Sequence, residues 1–280
     1  MLRSILLALD GVTPDAAALF CAGELARSQN AALRVVICPN RGDFEGGEAH
    51  GIGGSSFAER RDTVLIQRLQ ERLQAERSGL VELLTQSGIV PDIVETAGDP
   101  ASVVAAASES ADLVVLPHGR PRARAQDDTD TGFALPVSDI LQELVRPALL
   151  VADSAIGDGP VVAAYDGSPS AQRALHTGLL SGMFGQREVV VLSVGYSASA
   201  AEAMAAPAAE LVRHHGHAVR VEALAEQGDT AHAIQGRLQV LQPALFVSGS
   251  FGGQGLLEWL FGGTTEHLLP AVQVPWLVQR

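Results

Sequence analysis

Six glycines fall within the fifteen residues from Gly249 to Gly263. Gly249, Gly252 and Gly253 come first. Nine residues separate Gly252 from a second set, Gly262-Gly263-Thr264-Thr265. Without a Cβ, a backbone can bring its N–H groups close to an anion. A helix opening at Gly262 to Thr265 adds free N–H groups, a partial positive charge and two hydroxyls. Such a set suits phosphate oxygens. It has no lysine, unlike a P-loop, whose Lys meets phosphate as a point charge. A second reading stands beside it: a glycine-rich loop that packs closely, with Thr264 or Thr265 as an ordinary N-cap.

The other chemistry-bearing stretch is VVAAYDGSPS, from Val161. Asp166 ends an apolar run, Ser168 is placed to cap the following helix, and Pro169 suits its first turn. Asp166 is either a strand-end acceptor for nearby backbone N–H groups or a carboxylate that meets a nucleobase or ribose.

These stretches need a scaffold, and the chain repeats one. ILLALDGVTPDAAALF at Ile5 resembles VVAAYDGSPSAQRALH at Val161, which sets Asp10 and Asp166 in equivalent places, 156 positions apart. ETAGDPASVVAAA matches AEQGDTAHAIQGR, ADLVVLPHG matches PALFVSGSFG, and VRPALLVAD matches VQVPWLVQR. The later matches are offset by about 130 positions, so the first half carries extra chain, mostly the polar, glycine-rich NRGDFEGGEAHGIGGSS. Strands are expected at Val161–Tyr165, Val189–Val194, Val219–Leu224, Leu245–Val247 and Val274–Val278. These runs are short, mostly β-branched and unalternating, as in parallel strands covered on both faces. Helix-length segments separate them. The pattern predicts an α/β protein made of two doubly wound, five-stranded parallel-sheet domains in tandem, residues 1–153 and 160–280. Both stretches of interest then lie at carboxyl ends of strands, where open parallel sheets bind ligands.

Composition narrows the classes. The chain has 280 residues, 47% of them hydrophobic and 4% aromatic, with a net charge of −13. An acidic chain lacks the basic footprint of nucleic-acid proteins and of proteins that bind anionic membranes. No apolar run reaches the ~18 residues of a span, and MLRSILLALD is too short for a leader. A cytoplasmic protein without nucleic-acid or membrane partners is expected. Cys21 and Cys38 form no CxxC pair and are expected to be inert, buried thiols.

Across both halves the chain resembles the universal stress proteins, as a tandem member. The most specific element is that family's Gly-x2-Gly-x9-Gly-Ser/Thr nucleotide signature, here Gly249, Gly252, Gly262 and Gly263. Gly263 departs from the usual Ser or Thr, and Thr264 follows it. The resemblance implies an adenine nucleotide alpha hydrolase-like fold and a stress-response module that binds ATP, with or without Mg²⁺, in the second half. It implies that Asp166, the backbone near Ala164, Tyr165 and Gly167, and the strand end at Val194 hold adenine and ribose. Gly249, Gly252, Gly262, Gly263 and Thr264 would then surround ribose and phosphates, with Ser168, Ser248, Gly253 and Thr265 flanking them. In this family the fifth strand pairs domains or subunits, which implies an intramolecular pseudo-dimer and allows a homodimer.

The first half has a different loop, PHGRPRARAQDDTDTGFALPVSDIL. Pro117 stands about where Gly249 does, and Ser138 is a possible helix cap. Proline brings no N–H to an anion, so ATP is not expected here. Arg120, Arg122 and Arg124 read as a solvated basic loop. His214, His215 and His217 read as an exposed helix end rather than a metal site. Among Ser56 to Gly88, Val64, Leu65, Leu69, Leu73, Leu80, Leu83 and Leu84 form an apolar helical stripe. No GxSxG motif or carboxylate pair is placed for catalysis, so no catalytic or metal-binding residue is assigned. Slow ATP hydrolysis is the most the sequence allows. The alternative function is a nucleotide-free interaction or scaffold protein of the same fold.

Overall fold

The structure is a computed structural model that describes residues 1–11, 15–38, 89–96, 98–118, 135–152, 156–225, 230–249 and 272–280. It also describes helical residues 71, 74, 75, 77–79 and 81–85. Ten strands among them form one sheet: β1 (Ser4–Leu9), β2 (Ala32–Ile37), β3 (Asp92–Glu95), β4 (Leu113–Pro117), β5 (Ala148–Val151), β6 (Val161–Ala164), β7 (Val189–Gly195), β8 (Val219–Ala225), β9 (Leu245–Gly249) and β10 (Trp276–Gln279). The order is β3-β2-β1-β4-β5-β10-β9-β6-β7-β8. Each half therefore runs third, second, first, fourth, fifth, all parallel. The halves meet where β10 pairs antiparallel with β5, with Trp276 opposite Leu150 and Leu277 opposite Leu149.

The central strand runs are apolar without alternation because both faces are covered, while the edge strands β3 and β8 are partly exposed. One face packs α1 (Ala16–Gln29), α4 (Pro169–Ser181) and α5 (Ala198–His214), through residues such as Leu25, Leu175 and Ala205. The other packs α2 (Pro100–Ser108), α3 (Val137–Glu143) and α6 (Thr230–Leu241), through Val104, Ile140 and Ile234. The expected doubly wound tandem fold is thus present. At the β8 edge, Glu222 accepts from Arg237 at 2.6 Å and also pairs with Arg220. Charges of this kind discourage another strand from adding there.

Helix starts follow their caps. Asp99 accepts from Ser102 N–H at 2.9 Å ahead of Pro100, and this bond holds its carboxyl below the ordinary range. Ser197 does the same for α5 through Ala200. Ser138 is not a cap: Pro136 holds that position without a side-chain bond, and Ser138 lies inside the first turn of α3. In the helical stretch near residue 84, Leu84 is buried on the α1 face while Leu83 is 54% exposed. One helical step turns Leu83 away from the sheet. Val64, Leu65, Leu69, Leu73 and Leu80 lie outside the described residues.

Candidate functional site

In each half the chain leaves its first strand one way and returns beside it as the fourth. The switch points lie between β1 and β4 and between β6 and β9. The β6–β9 register sets Ala163 opposite Val247, so the Asp166 end of β6 stands beside Ser248 and Gly249. The β6–β7 register, with Ala164 opposite Leu192, brings Val194 alongside Asp166. Ala164, Asp166, Val194, Ser248 and Gly249 are therefore gathered at one sheet end.

Local bonding builds the turn after β6. Asp166 Oδ1 accepts from Ser168 N–H at 2.9 Å, an Asx turn, and Gly167 takes a φ of 77° within it. Gly11, after Asp10, has a φ of 74°, so the repeated Asp-Gly is one backbone device used twice. Ser168 caps α4, accepting from Ala171 N–H at 3.2 Å with Pro169 next. Gln172 Nε2 donates to Gly167 O at 2.9 Å and closes the turn. Among the described residues Asp166 Oδ2 has no hydrogen-bond partner, and the residue is half-buried. One oxygen of the carboxylate thus does the strand-end work, and the other remains available.

Strand alternation divides the candidates between two faces. Ala164 and Val194 pack with the α6 side, and Ser248 bonds Trp276 on that side. Tyr165 packs with the α4 side and is 7% exposed. Its N–H donates to Leu192 O at 2.9 Å, and its carbonyl accepts from Ser193 Oγ at 2.6 Å. Burial, with Asp166 nearby, pushes its phenol pKa up. Tyr165 is built into the sheet and the core. Gly249 also turns toward α4: a Cβ there would lie against Ala171 N and Ser170 Oγ, closer than real Cβ contacts come. Ser248 is 2% exposed, with its Oγ taking the Trp276 Nε1–H at 2.9 Å. The link between Ser248 and Trp276, 28 residues apart, had no signal in the sequence. Gly252, Gly253, Gly262, Gly263, Thr264 and Thr265 lie outside the described residues.

A groove of about 400 Å³ lies elsewhere, lined by Gln172, Arg173, His176, Thr177, Leu180 and Gln279 among others. None of the sequence candidates lines it. Among the described residues no three His, Cys, Asp or Glu stand together as metal ligands, and no helix is long and apolar enough to cross a membrane.

Comparison with solved structures covers the whole chain. A universal stress protein from Archaeoglobus fulgidus DSM 4304 superposes with a TM-score of 0.69 at 18% identity, over 99% of this chain and 96% of its own. The chain has the fold of a universal stress protein. A Pseudomonas aeruginosa UCBPP-PA14 protein provisionally assigned to that family matches with a TM-score of 0.60 at 18% identity, over 99% and 93% of the two chains. A functionally unknown protein from Pseudomonas aeruginosa PAO1 gives 0.58 at 18% identity, over 99% and 92%. No protein-family model and no curated protein matches the sequence.

Within the universal stress protein fold, the first half's switch point differs in its side chains. Ile5 pairs Leu113 as Val161 pairs Leu245, which makes Pro117 the counterpart of Gly249. Pro117 ends β4 opposite Val151, where its missing N–H is no loss to a strand end. Asp10 is 4% exposed and the following His118 is 5% exposed, so this strand end is closed where the second half's Asp166 is half open. Arg120, Arg122 and Arg124 lie outside the described residues. Both cysteines are buried, as expected, and neither is in a disulfide; Cys38 Sγ donates weakly to Gly98 O at 3.8 Å. His214 ends α5 as expected, with His215 as its C-cap and Gly216 in the left-handed region.

Proposed function

We propose that this chain is a tandem universal stress protein that binds one ATP, with or without Mg²⁺, in its second half. One observation carries the reading. Asp166, half-buried with Oδ2 unpartnered among the described residues, stands at the switch point beside the strand end that opens Gly249-x2-Gly252-x9-Gly262-Gly263. In this reading Asp166, with Ala164, Gly167, Ser168 and Val194 around it, takes the nucleoside. Gly252, Gly253, Gly262, Gly263, Thr264 and Thr265 supply N–H groups and hydroxyls to the phosphates. Tyr165 and Gly249 support the site from the opposite face. Closure of Asp10 and Pro117 in place of Gly249 support an empty first half. No side chain is assigned to catalysis, and hydrolysis of the nucleotide is at most slow.

The domains are 1–153 and 160–280, joined through β5 and β10 as an intramolecular pseudo-dimer, in a cytoplasmic protein able to pair further as a homodimer. A nucleotide-free scaffold is the second reading, favoured by Gly249, whose glycine is already required by packing against α4. A thermal-shift scan with ATP separates the two. A ligand that binds only the native state raises the melting temperature. Mass spectrometry of small molecules released from the purified protein identifies a retained nucleotide.

A further inference from the structure

We propose that Trp276 is the positioning residue for the second half's nucleotide site, acting through Ser248. The inference rests on the nucleotide reading above. Ser248 is the penultimate residue of β9, and the glycine stretch departs directly after it. Its hydroxyl is turned into the protein, where it accepts the Trp276 indole N–H at 2.9 Å, with both residues 2% exposed. Ser248 is thereby a support of the site, not a ligand contact. The indole is itself held on several sides. Its ring centroid lies 5.3 Å from that of Phe246. Its backbone is paired parallel with β9 at Phe246 and antiparallel with β5 at Leu150.

Trp276 therefore ties three things together: the seam between the halves, the core of the second half, and the penultimate rung of β9. A buried indole N–H that loses its acceptor is strongly disfavoured, so the Ser248 hydroxyl and the ring hold each other in place. A group binds a ligand well only when it is held in position beforehand. Loosening Ser248 loosens the end of β9 that stands beside Asp166. The expected consequence is a change in ligand affinity caused by two side chains that do not touch the ligand.

The test is calorimetric titration of the full chain with ATP, alongside melting temperatures without ATP, for the wild type, Ser248→Ala, Trp276→Phe and the double variant. Each single change is expected to weaken ATP about five- to tenfold, the span of one net hydrogen bond. The double variant is expected to be no weaker than the worse single one, because one bond is lost in each case. Ser248→Thr, which keeps the hydroxyl on a residue at home in a strand, is expected to bind as wild type does. That comparison stands even if Trp276→Phe fails to fold. Variants that melt earlier but bind ATP unchanged would overturn the proposal and leave the nucleotide reading intact. Two effects that add would also overturn it. A wild type that takes up no ATP removes the nucleotide reading, and this inference with it.

Discussion

Gly249 packs its backbone onto Ala171, the third residue of α4, with no room for a Cβ between them. The last rung of β9 and the start of α4 are thus locked together beside Asp166. Gly249→Ala must push β9 or α4 aside, and such overpacking costs about 1–3 kcal/mol. The expected outcome is a lower urea midpoint without any nucleotide present. A variant as stable as the wild type would show that the contact is slack.

Asp166→Asn separates charge from structure. The amide oxygen of asparagine can still accept the Ser168 N–H, so the Asx turn and the α4 cap survive. Stability is expected to stay within about 0.5 kcal/mol of the wild type. ATP affinity is expected to fall about 10- to 100-fold, the scale of a hydrogen bond to a charged group. Titration calorimetry with a melting curve of the same sample reads both quantities.

Much of this molecule was legible before its coordinates. The central strands are short and apolar throughout because helices cover both faces. Runs such as Val189–Val194 therefore mark themselves. Asp10 and Asp166 announced the repeat because each precedes a glycine that takes a positive φ. The faces were harder to read. Ala164 and Tyr165 are neighbours in sequence but pack on opposite sides of the sheet, and that depends on where the strand's last rung falls. The bond between Ser248 and Trp276 could not be read because the partner comes from another strand. The close packing of Gly249 could not be read because its neighbour across the gap, Ala171, is 78 residues away. Pairwise packing between distant segments leaves no periodic signature in either one.

Cys21 gives a pH prediction with a definite sign. Burial pushes its thiol up to about 11 from 9.0, partly offset by a backbone hydrogen bond with Ile156. The folded pKa is raised, so the native state holds the proton more tightly than the unfolded state. Its stability contribution is fully present below pH 9 and is lost as pH rises toward 11. Cys21→Ala is expected to flatten the fall in stability over that window, measured by urea melts at stepped pH. The native wild-type thiol is also expected to resist Ellman's reagent at pH 8 until the protein is unfolded. Rapid labelling of the native thiol would contradict the burial.

Residues 160–280 expressed alone would expose the β10 edge that β5 covers in the full chain. An uncovered apolar edge strand recruits another strand. The fragment is expected to dimerise through β10, in the antiparallel sense that β5 provides in the whole protein. Light scattering after gel filtration reads its mass. A monomer at every concentration would count against the proposed boundary and the pseudo-dimer.

We propose a single nucleotide site per chain, in the second half. Equilibrium dialysis of the full-length protein against labelled ATP tests it most directly. The predicted result is one ATP per chain, held about 10- to 100-fold more weakly by Asp166→Asn and unchanged in Asp10→Asn. No bound ATP, or two per chain, would contradict it.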